Sequence, residues 1–184
     1  MTVVWIVLAV VVLLAIYVVI AYNRFVSQRN LVQESWRQID VELKRRHDLI
    51  PNLVETVKGY AAHERGTLED VMKARSAAMS GGQSPADLAQ NENVLTQALG
   101  RLFAVTEAYP DLKANQNFLA LQEELSGTEG KIAYARQFYN DTVQSYNTKI
   151  QSFPSNLVAG PFGFKEREYF EADDTSRGPV QVKF

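Results

Sequence analysis

The sequence of 184 residues contains no cysteine and only two histidines, His47 and His63. Without cysteine the chain has no disulfide, no thiolate nucleophile and no thiolate metal ligand. Two histidines exclude a multi-histidine metal centre, so we predict neither a metal nor a cofactor. The chain also has no large excess of positive or negative charge, because it contains 19 Lys+Arg and 21 Asp+Glu. The net charge of −2 argues against nucleic acid as a partner.

Signatures of catalysis are weak throughout the chain. His63 and Glu64 resemble the start of a zincin motif, but no second histidine follows at the required spacing. We interpret His47 as a histidine at the edge of a core that bonds a backbone carbonyl freed by Pro51. The chain has no phosphate-binding loop and no nucleophile elbow. We therefore predict no catalytic residues and a non-enzymatic protein.

Two charged clusters are interpreted as solvated helix faces. Glu123, Glu124 and Glu129 lack the Glu-x-x-His partner motif of a metal site inside a helical bundle. The basic run 44–46 lies roughly 30 Å along a straight helix from the end of the apolar N-terminal stretch, beyond the Debye length of about 8 Å. Neither cluster predicts a binding site.

An unbroken apolar stretch dominates the N-terminus. Residues 3–22 contain no charge, glycine or proline, and a helix of this length spans roughly 30 Å, the thickness of the hydrocarbon core of a bilayer. We predict that this stretch crosses a membrane, with the lipid bilayer as its partner. The residues of this predicted span include Val3, Trp5, Leu8, Leu13, Ile16, Ile20 and Tyr22.

A cleaved signal peptide is the alternative for this stretch, since Val19-Ile20-Ala21 offers a tolerable cleavage pattern. An uncleaved anchor is favoured because the apolar run is longer than a signal core and no basic residue precedes it. Basic residues follow it, beginning with Arg24 and Arg29. The positive-inside rule then predicts a single-pass protein with its N-terminus outside and its C-terminal part in the cytoplasm.

The rest of the chain has helical periodicity. Apolar residues spaced by three and four predict one helix that continues from the membrane to about Met79, with a kink or a restart at Pro51. Ser84 as N-cap and Pro85 at the first position predict a second helix that ends before Pro110. A third helix is predicted from Phe118 to Phe153, with Gly127 and Gly130 marking a close helix contact or a bend.

Amphipathic helices bury their apolar faces against one another, so the predicted fold is all-α, with an N-terminal transmembrane helix that continues into an antiparallel bundle of long helices. Asp48 and Asn52 flank Pro51 and are candidates for polar bonds that repair the backbone there, or for a buried contact that fixes helix register.

The region after the third helix is apolar but interrupted by Gly and Pro. We predict a short helix and a folded-back turn, whose aromatic residues dock on the bundle or on another molecule. Candidate interaction residues there are Phe153, Pro154, Phe162 and Phe164, with Tyr169 and Phe170 in the same aromatic group. The predicted division of the chain is an anchor at 1–22, a bundle at 23–153, this C-terminal segment at 154–172 and a flexible tail at 173–184.

Several motifs in one order resemble the LemA family. They are Arg45-Arg46-His47-Asp48-Leu49-Ile50-Pro51-Asn52-Leu53-Val54, Ala108-Tyr109-Pro110-Asp111-Leu112-Lys113-Ala114-Asn115, Leu121-Gln122-Glu123-Glu124-Leu125, Lys131-Ile132-Ala133-Tyr134-Ala135-Arg136, and Phe153-Pro154-Ser155-Asn156. The resemblance implies a bacterial inner-membrane protein with a cytoplasmic helical bundle, and relatives connected with magnetosome biogenesis imply a role in shaping or organising membranes.

Two hypotheses of function follow. The first is a membrane-anchored helical scaffold that organises or shapes the inner membrane by assembling as a homo-oligomer. The second is a regulatory adaptor that recruits a membrane or cytoplasmic enzyme, such as a protease or a sensor kinase, through residues 153–170.

Overall fold

The computed structural model describes residues 1–171, and over this range the chain is all-α, as predicted. The tail predicted at 173–184 lies outside the described residues. The helices of the described range are α1 (Thr2–Lys58), α2 (Arg65–Ala78), α3 (Pro85–Thr106), α4 (Pro110–Lys113), α5 (Gln116–Gln151) and α6 (Asn156–Ala159).

The chain divides into two compact units, which we call the N-terminal unit and the core unit. The N-terminal unit consists of Met1–Gln38 and Gln137–Arg167. The core unit consists of Ile39–Arg136 and, within the described residues, 168–171. Both α1 and α5 contribute residues to each unit. The antiparallel arrangement of the helices and the division after Tyr22 and Phe153 stay predictions.

The N-terminal unit is built around aromatic side chains of α1 and α5. Phe25 of α1 is 2% exposed and Tyr146 of α5 is 1% exposed, and their rings meet edge to face with centroids 6.4 Å apart. Trp36 meets Tyr139 in the same manner at 5.3 Å. Large aromatic rings dominate the apolar area that such a small unit buries. These aromatic contacts form the core of the N-terminal unit.

The core unit contains an extensive cluster of buried apolar residues. Its buried members come from α1, α2, α3, α4 and α5, and include Ile50, Val71, Leu95, Leu112 and Phe118. Each of these side chains is at most 1% exposed. Only the C-terminal part of the predicted apolar face of α1, from Ile50 onward, supplies buried members of this cluster.

The first long helix ends earlier than predicted. Instead of continuing to Met79, α1 passes through Pro51 without restarting and ends at Lys58, and a turn at residues 59–64 separates it from α2. Ala61, which continues the apolar stripe, is fully buried within this turn. Gly59 stands directly after the last helical residue, a position that glycine favours, and this signal was available in the sequence.

The start of α3 confirms the predicted cap. Ser84 is the N-cap, its hydroxyl accepts the backbone N–H of Asp87 at 3.2 Å, and Pro85 takes the first helical position. The helix ends at Thr106, before Pro110, as expected. A serine cap satisfies one of the N–H groups that have no partner in the first turn of a helix.

The third long helix is confirmed as α5, but its glycines make no close contact within the described chain. A methyl group built on Gly127 or on Gly130 would meet nothing within 4 Å. The prediction that they mark a close helix contact is therefore wrong for contacts among residues 1–171, and the alternative of a bend stays a prediction. The two glycines lower the helix propensity of α5 without allowing tighter packing.

Candidate functional site

The apolar stretch of α1 is exposed except near its end, where Val18 is half-buried and Ala21 is buried. In its most apolar window the mean hydropathy is 3.3 and no residue is buried, so α1 is long and apolar enough to cross a membrane. Trp5, Leu13 and Ile16 are 68%, 66% and 50% exposed. A helix in the core of a soluble protein hides such side chains from water. Val3, Leu8, Ile20 and Tyr22 are also exposed, at 69%, 54%, 47% and 39%.

The C-terminal hook, residues 153–167, folds back on α1 where the apolar stretch ends. The ring of Tyr22 meets Phe162 and Phe164 edge to face, with centroids 5.1 Å and 5.6 Å apart. Phe164 also stacks on Phe25 at 4.9 Å and is only 6% exposed. The short helix α6 lies within the hook. Phe164 is thus the side chain that anchors the hook to α1.

Polar contacts hold the same hook in place. Asn147 of α5 is 7% exposed, donates its amide N–H to the carbonyl of Arg167 at 2.8 Å and accepts the N–H of Arg167 at 2.9 Å. The guanidinium of Arg29 lies 5.6 Å from the ring centroid of Phe164, within cation–π range. A buried amide that makes two backbone bonds fixes the register of the segment it holds.

Other aromatic residues of the hook stay accessible. Phe153 is 79% exposed and Phe162 is 52% exposed, and Leu157 between them is 65% exposed. Pro154 follows Phe153 and is also exposed. Beyond the hook, Phe170 is fully buried in the core unit beside Arg136, whereas Tyr169 is 39% exposed. The hook therefore presents an apolar surface of its own.

A buried polar cluster lies in the core unit between α1 and α3. Arg46 and Glu92 are 1% and 3% exposed, and their Nη1 and Oε2 atoms lie 3.4 Å apart. The imidazole Nε2 of His47 forms a hydrogen bond of 2.7 Å with Glu92 Oε1. Arg46 Nη2 donates to Thr96 Oγ1 at 2.7 Å and lies 3.0 Å from Glu129 Oε1 on α5. Buried charges are tolerated when they are paired in this way.

This cluster corrects two interpretations of the sequence. Arg46 does not lie on a solvated face, because it is one of the largest fully buried side chains of the described chain. Its neighbour Arg45 is half exposed and pairs with Glu124 at 2.8 Å, a hydrogen bond that raises the pKa of the Arg45 guanidinium. The imidazole of His47 bonds Glu92 rather than a backbone carbonyl. Arg45 and Arg46 thus fasten α1 to α3 and α5.

Pro51 leaves the carbonyl of His47 without its helical donor, and that carbonyl is bonded by a residue that the sequence did not indicate. Arg75 of α2 donates its Nε–H to the carbonyl oxygen of His47 at 2.7 Å. The side chains of Asp48 and Asn52 are exposed and make no side-chain hydrogen bond among residues 1–171. The repair of the backbone comes from Arg75, so the hypothesis that Asp48 or Asn52 supplies it, or makes a buried contact, is wrong.

Asp48 instead borders an open cavity of about 390 Å³ at the loop after α2. Asp40, Lys44 and His47 line the same cavity. Among residues 1–171 no three His, Asp or Glu side chains are arranged to hold a metal ion.

A sequence model described as "LemA family" matches residues 35–184. The chain belongs to the LemA family.

Relatives of this LemA-family chain include proteins named as magnetosome proteins and a protein named LemA. A protein named Magnetosome protein MamQ 2 of Paramagnetospirillum magneticum is 27% identical, over 86% of this chain and 68% of its own length. Magnetosome protein MamQ of Magnetospirillum gryphiswaldense is 25% identical over the same shares. Protein LemA of Metamycoplasma hominis is 28% identical, over 87% of this chain and 73% of its own length. With the exposed apolar helix, this membership supports a membrane-associated LemA-like protein.

Two residues of the family motif at 108–115 make hydrogen bonds in the core unit. Tyr109 donates its hydroxyl to Glu64 at 3.0 Å, and Asn115 donates to the hydroxyl of Tyr60 at 2.9 Å. Both bonds fasten the turn at 59–64. Sequence reasoning missed Tyr60, Arg75 and Glu92 because they lie outside the quoted motifs. No local spacing rule pairs them with their distant partners.

Proposed function

We propose that this chain is a non-enzymatic, membrane-anchored helical scaffold that crosses the bacterial inner membrane once and organises or shapes it through self-assembly. The exposed apolar stretch of α1 carries the proposal, because no residue of its most apolar window is buried and lipid is the environment that would cover it. Two relatives are named as magnetosome proteins, and we extend membrane organisation to this chain by analogy with them.

The orientation in this proposal rests on the residues that follow the span. Arg24, Arg29 and Arg37 lie within about 15 residues of its end, where basic side chains favour the cytoplasmic side. The proposal assigns no catalytic role to the chain. The buried cluster supports this, because Glu92 forms an ion pair with Arg46 and a hydrogen bond with His47.

The complete lack of cysteine allows a direct test of the span. Thr2→Cys places a thiol at the outer end of α1, and Ser126→Cys places one on an exposed position of α5. A membrane-impermeant maleimide should label the first variant in intact spheroplasts and the second only after permeabilisation. Labelling of Ser126→Cys in intact spheroplasts would reverse the orientation, and loss of the Thr2→Cys thiol from the mature protein would show that the stretch is cleaved.

Self-assembly needs a separate measurement. Full-length protein reconstituted in lipid nanodiscs or extracted with a mild detergent should give, by native mass spectrometry, a species of two or more copies. Crosslinking in intact cells should recover the same species. A strictly monomeric protein in both experiments would contradict the scaffold and leave the membrane anchor standing.

A regulatory adaptor is the second candidate function, and the exposed part of the hook favours it. Phe153 and Leu157 are 79% and 65% exposed and could contact an enzyme such as a protease or a sensor kinase. Truncation from Pro154 onward separates the two candidates. An adaptor would lose one crosslinked partner, whereas a scaffold would change the number of copies in its assembly.

A further inference from the structure

A cavity of about 230 Å³ lies within the N-terminal unit. Part of α1, one residue of α5 and the first residues of the hook form its walls. The lining residues are Tyr17, Ile20, Ala21, Arg24, Phe25, Lys149, Pro154 and Ser155. Most of this lining is apolar, and its two charged side chains are both cationic.

The cavity straddles the end of the apolar stretch. Tyr17 and Ile20 belong to that stretch, which ends at Tyr22, and Arg24 and Phe25 follow it. From Tyr17 to Phe25 the helix rises about 12 Å, which covers the passage from acyl chains to headgroups when α1 crosses a bilayer. The apolar part of the cavity then faces the acyl region, and its cations lie at the level of the lipid phosphates.

The two cations have no acidic partner in the described chain. Among residues 1–171 neither Arg24 nor Lys149 forms an ion pair. Glu34 is paired with Arg37, and Glu166 accepts a hydrogen bond from Gln151.

The charge of the whole unit has the same sign. The N-terminal unit carries six Lys+Arg and three Asp+Glu, a net charge of +3, although the complete chain carries −2. The positive charge is therefore concentrated in the part of the chain that contains the apolar stretch. A basic surface next to a span is complementary to anionic lipid headgroups.

We propose that this cavity binds one anionic phospholipid, with Arg24 and Lys149 contacting its headgroup phosphate and the apolar lining contacting the upper part of an acyl chain. The proposal rests on the membrane span proposed above, but not on self-assembly. The exposed apolar surface of the hook, at Phe153, Leu157 and Phe162, agrees with a location in the membrane interface, since such side chains partition there.

The test measures binding of dioleoyl phosphatidylglycerol to the full-length protein in detergent micelles by native mass spectrometry. The variant Arg24→Gln/Lys149→Gln should lose about 30-fold in affinity, because each basic residue near a headgroup contributes about fivefold. The matched control Arg37→Gln/Lys165→Gln removes the same charge from the same unit but lies outside the cavity. It should change the affinity by less than about threefold.

Equal losses in the two double variants would overturn the proposal, because they would show attraction by net charge alone, and so would an unchanged affinity in both. The variant Arg24→Lys/Lys149→Arg keeps both charges and should bind the lipid about as tightly as the parent protein. This result would separate a binding role of the charges from a folding defect. Ile20→Trp should also lower the affinity, because the larger ring fills the cavity without altering the charge.

Further measurements distinguish a lipid phosphate from a soluble phosphate, and the lipid site from the membrane span. Phosphatidylcholine should bind at least tenfold more weakly, and soluble glycerol phosphate should not compete at millimolar concentration. Competition by glycerol phosphate would reassign the cavity to a soluble anion. The cysteine labelling described above reports on the span, and the mass of the assembly reports on self-assembly, so failure of the lipid site is visible independently of either.

Discussion

The Nε–H of Arg75 is bonded to the carbonyl oxygen of His47 at 2.7 Å, and this carbonyl is the one that Pro51 deprives of its helical donor. A proline within a helix removes the N–H that would bond the carbonyl four residues earlier. Here α1 tolerates Pro51 because a side chain of α2 supplies the missing donor. The proline thus converts a local defect of α1 into a contact with α2.

Removal of this donor should be costly only while the proline is present. Arg75→Met is expected to lower the free energy of unfolding by about 1–3 kcal/mol, because a charged hydrogen bond is lost and a carbonyl is left unpaired. In a Pro51→Ala background, where the backbone regains an N–H at this position, the same change should cost less than half as much. Thermal and urea unfolding of the four proteins forms a double-mutant cycle. Additive effects would contradict the relationship.

Asp48→Ala provides the matched control for this cycle. The side chain of Asp48 is exposed and lies beside the proline, so its removal should change stability by less than about 0.5 kcal/mol. A loss of stability as large as that of Arg75→Met would indicate that Asp48 contributes to the backbone repair at Pro51.

The buried cluster should respond strongly to the loss of one member. Glu92→Leu leaves the ring of His47 without its carboxylate and leaves the buried guanidinium of Arg46 with the half-exposed Glu129 as its remaining partner. Breaking a buried pair in this way costs about 3–5 kcal/mol. The double variant Arg46→Met/Glu92→Leu should recover at least half of that loss, because no unpaired charge remains between the two positions. A double variant that is less stable than Glu92→Leu would contradict this account.

The two glycines of α5 should be replaceable with a gain in stability. Gly127→Ala and Gly130→Ala are each expected to raise the free energy of unfolding by up to about 1 kcal/mol, because alanine favours the helix and its methyl group would meet nothing within 4 Å. Gly82→Ala is the opposing control, because Gly82 has φ of +79° and alanine would be strained there. A loss of stability or of assembly size in the α5 variants would show that another copy packs closely against these glycines.

Alkaline pH should weaken the turn that follows α1. The hydrogen bond to Glu64 raises the pKa of the Tyr109 hydroxyl above its ordinary value of 10.0, with burial and the charge of Glu64 acting in the same direction. The folded state therefore keeps this proton when the unfolded chain has lost it. The contribution to stability is complete below pH 10 and is lost as the pH rises through the raised pKa.

Thermal unfolding between about pH 8 and about pH 11 measures this effect. Tyr109→Phe should be less stable at neutral pH and should show a smaller decline above about pH 10. Tyr134→Phe, at a tyrosine that is 73% exposed, should retain the decline of the parent protein. An identical alkaline decline in Tyr109→Phe and the parent would contradict the role of this hydroxyl.

The hook should detach when its anchoring ring is removed. Phe164→Ala eliminates the stacking on Phe25 and the edge contact with Tyr22, and a buried phenylalanine contributes about 3–5 kcal/mol. Hydrogen exchange of the amides in residues 154–167 should accelerate at least tenfold. Phe153→Ala is the matched control, because its ring is 79% exposed, and it should leave the exchange unchanged. Equal acceleration in both variants would contradict the anchoring role of Phe164.

The sequence alone was sufficient for the features that depend on neighbouring residues. Apolar residues spaced by three and four predicted helices, although not the break at 59–64, and Ser84 with Pro85 predicted the start of α3. The stretch at 3–22 predicted a membrane span, and α1 is long and apolar enough to form one. The residue motifs of the family were likewise readable without coordinates. These signals are short-range, because helix propensity, capping and hydropathy are determined within a few turns.

The tertiary structure decided which polar groups meet. His47 and Glu92 are 45 residues apart, and Arg75 reaches the carbonyl of a residue 28 positions earlier. Periodicity assigns a face to each residue but not the partner that faces it. The sequence therefore predicted a solvated Arg46. In the structure Arg46 is buried, and its ion pairs with Glu92 and Glu129 compensate for the burial of its charge. Burial of a charge is decided by partners brought together only when the helices pack.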